Sequence, residues 1–328
     1  MKRRIYFRAD AGKEIGYGHF IRTLALADML KDDFDCVFVT QAPTDYQRVE
    51  VAKVCQLVEL PATDEKFRLF LDMLQGNEIV VLDNYFYDTE YQRAVKAKGC
   101  KLVCIDDRKR QQYYADIIIN HVIGILPHDV INLNHGDLLL GPKYALLRKP
   151  FIEVMQQKKK SHLISNDEIL IAMGGTDYNN VTEKIVHFML HYPDYKINVL
   201  IGDKYVRKQE LEAYPVRIYK NCSADELCEL MKYQRLVICP PSTLSYEVCA
   251  VRCQLMVGSF VENHIEVEKA LAKYGLAVSC GNFEEMTINH FDAVLKEALC
   301  DNSLLIKQAA YFDGKQKERF ISCFYKQF

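Results

Sequence analysis

The chain has 328 residues, 49% of them hydrophobic, and a formal net charge of −2 at pH 7. That length fits two domains of ordinary size, and that apolar content excludes a largely disordered chain. Near-neutral charge gives no reason to expect nucleic acid as the main partner, and the short basic run at Lys158–Lys160 reads as solvated linker.

The 12 cysteines include no CxxC pair. Cys100 and Cys104, and Cys249 and Cys253, are each spaced so as to share a helical side, but nearby histidines do not complete a zinc-like pattern. Reduced thiols packed as small apolar groups are expected. With no signal peptide in view, this points to the cytoplasm. No apolar run is long enough to span a bilayer, so no membrane insertion is expected. The oligomeric state is not legible.

In chain order, the first half carries short β-rich runs at Arg4–Arg8, Cys36–Thr40, Ile79–Asp83, Lys101–Ile105 and Asp116–Asn120. The second half carries them at Glu168–Met173, Lys196–Gly202, Arg235–Cys239 and Gln254–Gly258. Most are continuously apolar, the mark of parallel strands covered on both faces. Amphipathic stretches lie between them, such as Asp88–Gly99 with its terminal glycine. Alternating β and α elements predict an α/β fold with doubly wound parallel sheets. Both halves open with a strand, a glycine-bearing loop and a helix. The expected division is an N-terminal Rossmann-like domain over 1–150, a polar linker over 151–166, and a C-terminal Rossmann-like domain over 167–328. Two such domains facing across a cleft would bind ligand at the carboxyl ends of their strands. The last segment, Asn302–Phe328, reads as helical and could pack on either domain.

The stretch RADAGKEIGYGHFIRTLALADML (Arg8–Leu30) places two glycines, a histidine and an arginine within the seven residues Gly16–Arg22, just after the first apolar run. Gly16 and Gly18 can take backbone angles closed to other residues and keep side chains out of the way. Phe20, Leu24 and Ala27 form one helical stripe, which predicts a helix beginning near His19, with His19 and Arg22 on a common side. A helix start offers free N–H groups and partial positive charge, which favours a neutral imidazole able to accept a proton. The loop, with Asp10, Gly16, Tyr17 and Gly18, is therefore read as a substrate-approach loop carrying a base. A glycine turn with a capping histidine would look the same, because short glycine motifs are common.

In the second half, CPPSTLSYEVCA (Cys239–Ala250) follows a strand. Ser242 and Thr243 sit where a helix should start and can cap it or hold a diphosphate. Glu247, one turn further on, can accept both hydroxyls of a ribose, or be a solvated surface charge. GGTDYNN (Gly174–Asn180) suits backbone approach to an anion, or a tight turn capped by Thr176 or Asp177. Asn263 and His264 open another helix at the same sheet edge, where an asparagine N-cap is the commoner occurrence. Asp83 and Tyr85 end one strand of the first half, and Asp106 and Asp107 end the next. The paired acids suit sugar hydroxyls or turn capping, and without a nearby histidine or third acid no metal is inferred.

These motifs, with LDNY, IDD, GPKYALLR, GGTDYNN, STLSYE and ENH in order, closely resemble the UDP-sugar hydrolases of the pseudaminic acid pathway over most of the chain. The resemblance implies a two-domain GT-B fold. It also implies release of UDP from UDP-2,4-diacetamido-2,4,6-trideoxy-β-L-altrose by water, with inversion at the anomeric carbon and no cofactor. It makes His19 the general base. It gives Asn263 to the sugar site and Gly174, Gly175, Asn180 and Glu247 to UDP. With the residue reading, Asp10, Gly16, Tyr17, Gly18, Arg22, Asp83 and Tyr85 are also expected at the sugar site, and Ser242 and Thr243 at UDP. Thr23, Asn84 and His264 depart from residues common in the family, and no glycine precedes Ser242. Two other readings keep the same fold: a UDP-sugar-dependent glycosyltransferase, in which His19 would deprotonate an acceptor hydroxyl, and a UDP-sugar-binding protein without turnover.

Overall fold

In the computed structural model, residues 2–12, 17–108, 111–157, 167–174, 177, 179–202 and 205–327 are described. They form two compact units, Met1–Lys149 with Lys315–Phe328, and Pro150–Gly314.

The first unit carries strands β1 (Arg4–Ala9), β2 (Asp35–Gln41), β3 (Gln56–Leu60), β4 (Ile79–Asp83), β5 (Lys101–Ile105), β6 (Gln112–Tyr113), β7 (Ile117–Asn120), β8 (Ile131–Asn132) and β9 (Asp137–Leu140). Seven of these make one sheet in the order β3-β2-β1-β4-β5-β7-β9, while β6 and β8 pair by themselves. Every pairing is parallel. The second unit carries β10 (Glu168–Ile171), β11 (Lys196–Ile201), β12 (Val216–Lys220), β13 (Leu236–Cys239), β14 (Gln254–Ser259) and β15 (Val278–Asn282). They form a parallel sheet in the order β12-β11-β10-β13-β14-β15.

All nine expected strands are present. Their apolar runs are continuous because helices cover both sheet faces: β4 and β13 are buried at every residue. The helix after Asp88 spans Thr89–Ala97, begins where the Asp88 carboxylate accepts the Tyr91 N–H, and is followed by Gly99 at φ +91°.

In each sheet the chain order reverses once, between β1 and β4 and between β10 and β13. Loops leaving two such neighbours run to opposite sides of the sheet, so their carboxyl ends leave a crevice where ligands of open α/β sheets bind. The glycine loop follows β1 and the Ser242 loop follows β13. Each candidate site thus sits at the reversal point of its own sheet.

The expected domain limits differ from the structure in two places. Residues 151–156 were expected in a linker, but a helix spans Lys149–Gln156 and buries Phe151, Ile152 and Met155. Of the rest of that linker, residues 158–166 lie outside the described residues. The final helix, Gln316–Gln327, was placed by chain position with the second domain, yet it belongs to the first unit. Phe320 and Phe324 are fully buried there against Tyr144 and Phe34, and Lys317 pairs with Asp32 at 2.9 Å. Apolar burial, not chain position, decides its place.

Candidate functional site

The first helix spans Gly18–Leu30 and buries Phe20, Leu24 and Ala27 as expected. No side chain caps its start, and its first turn holds no acid. Gly18 needs no special backbone angle, since it lies inside the helix. Among the described residues, a Cβ placed on it would meet nothing within 4 Å. The Tyr17 hydroxyl lies 3.5 Å from Thr44 Oγ1, and its ring packs edge-on against Tyr46. Gly16 falls outside the described residues.

His19 and Arg22 share a face, as expected, and both converge on Asp83 at the end of β4. Asp83 is fully buried and receives four donors. His19 Nδ1 lies 2.6 Å from Oδ1, and Arg22 Nη2 donates to that oxygen at 2.6 Å. Arg22 Nε donates to Oδ2 at 2.7 Å, and Thr23 Oγ1 donates to it at 2.8 Å. Burial by itself would raise the pKa of this carboxyl. The Arg22 charge, then His19, outweigh that effect and hold it below the ordinary carboxylate range.

An ionised Asp83 can only accept, so the short contact to His19 requires the proton on Nδ1. That leaves Nε2 as the basic nitrogen, and it makes no hydrogen bond among the described residues. The approach of Arg22 Nη2 to Nδ1 at 3.0 Å follows from both groups donating to one oxygen. His19 is only 6% exposed, less than an open base at a helix start would be. Its ring is instead fixed by Asp83 on one side and by the edge-on ring of Tyr85 at 4.6 Å.

Asp107 extends the network. It accepts Arg22 Nη1 at 2.6 Å and the Tyr85 hydroxyl at 2.7 Å. Tyr85 is 38% exposed, and the Arg108 guanidinium stacks on it at 4.2 Å. The neighbouring acid does something else: Asp106 accepts the backbone N–H groups of Asp107 and Arg108 and pairs with the Arg108 side chain, the turn-capping role. His121 is buried in the same neighbourhood; burial, and then the Arg22 charge, lower its pKa to about 4.

Asp10 is placed differently from the sequence expectation. It is fully buried, and its carboxylate accepts both Arg8 Nη groups, the Gln41 N–H at 2.9 Å and Lys66 Nζ at 3.1 Å. A carboxylate so enclosed is a counter-ion within the unit and not a sugar ligand. Asn84 brackets the Asp10 backbone: its Oδ1 accepts the Asp10 N–H at 2.7 Å and its Nδ2 donates to the Asp10 carbonyl at 3.2 Å. That amide pair continues the β1–β4 ladder one step past Ala9 and Asp83, which are register partners. Sequence reasoning assigned no role to Thr23, Lys66 or His121, and nothing in their spacing signals one.

In the second unit, Ser242 is the N-cap of the helix Thr243–Val251, and its Oγ accepts the Leu244 N–H at 3.3 Å. Glu247 lies on that helix and is 1% exposed, so it is no solvated surface charge. Gly174 has φ +98°, and a Cβ there would meet nothing within 4 Å. Asp177 accepts the N–H groups of Val181 and Thr182 at 2.9 and 2.8 Å, the capping alternative weighed for this loop. Asn180 adopts a left-handed backbone at φ 54° and donates to Glu183 on its own helix. Gly175 lies outside the described residues, as does the side chain of Asn263. The backbone of Asn263 sits inside the first turn of the helix Glu262–Lys273, whose N-cap is Val261, so Asn263 is not the expected cap.

No helix among the described residues is long and apolar enough to cross a membrane. Among the same residues, no group of three or more His, Cys, Asp and Glu side chains is arranged to hold a metal.

No family model matches the chain. It is 26% identical over 263 residues to an uncharacterised protein of Methanocaldococcus jannaschii, a match covering 74% of this chain and 53% of that protein. The chain therefore spans about half the length of that relative. It is 22% identical over 295 residues to the UDP-2,4-diacetamido-2,4,6-trideoxy-β-L-altropyranose hydrolase of Campylobacter jejuni, covering 84% of this chain and 98% of that one. Among solved structures it is similar to Arabidopsis thaliana UGT89C1 complexed with UDP-L-rhamnose, with a TM-score of 0.69, 10% identity, and coverage of 100% of this chain and 99% of that chain. With its two parallel sheets and this likeness to solved glycosyltransferases, the chain has the GT-B fold of two Rossmann-like units.

Proposed function

We propose that the chain hydrolyses a UDP-activated amino sugar at its anomeric carbon. UDP and free sugar are the products, the configuration inverts, and the sugar is of the diacetamido-trideoxy class used in pseudaminic acid synthesis. The observation that carries the reading is the contact of His19 with Asp83. It leaves Nε2 as the proton acceptor, and a single oriented base is what this reaction needs. UDP departs as an anion without being protonated, whereas an alkoxide leaving group would require a second, acidic carboxyl.

In this mechanism Nε2 of His19 takes a proton from water as the water oxygen attacks the anomeric carbon. The bond from that carbon to the diphosphate oxygen breaks, and its electron pair leaves with UDP. Asp83 stabilises the imidazolium as it forms, because the Nδ1 proton already points at an anion. The nucleotide end is assigned to the second unit. The N–H groups at the start of the helix Thr243–Val251, with Ser242 and the bare backbone at Gly174, face growing charge on the diphosphate. Glu247 is assigned to the ribose hydroxyls. The match to the Campylobacter jejuni hydrolase over nearly its whole length supports the sugar class.

The test uses the full chain with UDP-sugar in water enriched in heavy oxygen. Free sugar labelled at C1 is expected. His19→Asn should slow turnover about a hundredfold to ten-thousandfold with UDP affinity retained. Unchanged turnover in that variant removes the assigned role. A second reading has specific support, since solved structures with this fold include glycosyltransferases. In that case His19 deprotonates an acceptor hydroxyl, and no labelled free sugar forms in water alone.

A further inference from the structure

Asp83 shares Arg22 with a second carboxylate. Arg22 Nη1 donates to Oδ2 of Asp107 at 2.6 Å, and the other oxygen of Asp107 accepts the Tyr85 hydroxyl at 2.7 Å. Each nitrogen of the buried guanidinium is therefore engaged inside the first unit, Nε and Nη2 by Asp83 and Nη1 by Asp107. The two acids come from paired strands, Asp83 from the end of β4 and Asp107 from the turn after β5. That turn is itself tied down, because the Asp107 N–H donates to Asp106 Oδ1 at 2.7 Å.

Tyr85 shows what the second carboxylate adds. An aromatic side chain that is 38% exposed ordinarily keeps much of its rotamer freedom. This one is held on three sides. Its hydroxyl is tied to Asp107, the Arg108 guanidinium lies 4.2 Å from the ring centre, and the ring meets His19 edge-on at 4.6 Å with the planes 85° apart. The imidazole is thus fixed at Nδ1 by Asp83 and along its side by a ring that Asp107 anchors. A ring released from Asp107 would turn, and His19 would lose that wall.

Charge gives Asp107 a second hold on the same histidine. Burial raises its pKa, but the Arg22 charge, the Tyr85 hydroxyl and the His19 charge outweigh burial and keep it below the ordinary carboxylate range. Two carboxylates share one guanidinium, so these three groups together carry one net negative charge. An imidazolium forming at His19 therefore meets an anion in excess, already in place, and not a neutral pair.

We propose that Asp107 is a positioning residue, acting on His19 through Tyr85 and Arg22 without touching substrate. Its part in the reaction rests on the proposed function. Its effect on the imidazole is readable without turnover.

The experiment compares the full chain with Asp107→Asn, Asp107→Ala and Tyr85→Phe. Proton NMR follows the downfield resonance of the Nδ1 proton, assigned by its loss in His19→Asn, and hydrolysis is followed with UDP-2,4-diacetamido-2,4,6-trideoxy-β-L-altrose. Asp107→Asn removes the charge and keeps an acceptor, whereas Asp107→Ala removes both bonds. The Nδ1 resonance should move upfield in both, further in Asp107→Ala. The kcat should fall about tenfold to a hundredfold, the loss that follows removal of an outer partner of an oriented histidine at metal sites, with KM close to the parent value. Tyr85→Phe cuts the tie and keeps the ring, so it should move the resonance the same way. Combined with Asp107→Ala it should add nothing, because both changes break one bond. An unchanged resonance in Asp107→Asn would overturn the proposal, and that variant decides even where Asp107→Ala fails to fold. So would fully additive shifts in the double variant, or a raised KM with kcat intact, which would make Asp107 a substrate ligand. A shifted resonance in a chain that releases no sugar from UDP would sink the proposed function and leave the positioning of His19 by Asp107 intact.

Discussion

Oδ1 of Asp83 lies 2.6 Å from Nδ1 of His19, and Arg22 and Thr23 fill the remaining positions of the same carboxylate. The carboxylate is therefore an orienting anion for the imidazole and not a free ligand for sugar hydroxyls. Four donors on one buried group fix the ring, its tautomer and the start of the first helix together.

Asp83→Asn tests that arrangement. An amide cannot accept from all four donors, so the ring loses its tautomer preference and Arg22 loses its counter-charge. Under the proposed mechanism, kcat should fall about a hundredfold to ten-thousandfold, with UDP affinity unchanged by calorimetry. A loss in KM alone would show that Asp83 acts in substrate binding.

Thr23→Val removes one donor and keeps the shape. Hydrogen bonds to charged groups contribute about 1.5 to 3 kcal/mol, and three donors remain on Asp83. A stability loss of about 1 to 2 kcal/mol is expected from urea unfolding, with Thr23→Ser close to the parent protein. Equal stability of Thr23→Val and the parent would remove Thr23 from the network.

Acid should weaken the fold in two stages. Burial lowers His121 to about 4, against an ordinary value of about 6.5. Between those pH values the unfolded chain binds a proton that the folded chain refuses, so stability falls as pH drops through the window, by about 3 kcal/mol in all. Asp83 is depressed, so its contribution is present above the ordinary carboxylate pKa and is lost as pH falls further. Urea midpoints measured from pH 7 to 4 should show the first slope in the parent chain and a flatter one in His121→Gln. Identical slopes would mean that another group sets the first stage.

Glu247→Gln addresses the nucleotide half of the mechanism. Under the proposed mechanism the buried Glu247 carboxylate accepts two ribose hydroxyls in charge-assisted bonds, and the amide replaces one acceptor by a donor. UDP affinity should fall about tenfold to a hundredfold, while affinity for inorganic diphosphate stays the same. Equal loss for both ligands would point to a collapsed helix start and not to the ribose.

The strands that sequence reading passed over are informative. Besides the two-residue pair β6 and β8, the strands not anticipated are β3, β9, β12 and β15, the four edge strands of the two large sheets. An edge strand is covered less fully: β3 and β12 show mixed burial, whereas β4 and β13 are buried throughout. The residues of β3 and β12 alternate or mix in polarity and give no long apolar run, and the apolar part of β9 is only three leucines long. Asp10 and Asp83 show the same limit at the site. Both end inner strands beside a glycine or aromatic loop, and in sequence they look alike. Yet Asp10 meets Arg8, Gln41 and Lys66, and Asp83 meets His19, Arg22 and Thr23.

The sequence by itself determined the inner strands, the two glycine-bearing loops, the start of the first helix and the pairing of His19 with Arg22 on one face. Each of these depends on local periodicity or on residues within one turn of each other. Only the tertiary structure decided which carboxylate meets the imidazole, which acid is locked away with Arg8, and that the last helix packs with the first unit. Those outcomes depend on strand order and on which surfaces are buried together. Contacts between residues 64 and 61 positions apart, as His19 and Arg22 are from Asp83, leave no trace in the spacing of neighbours.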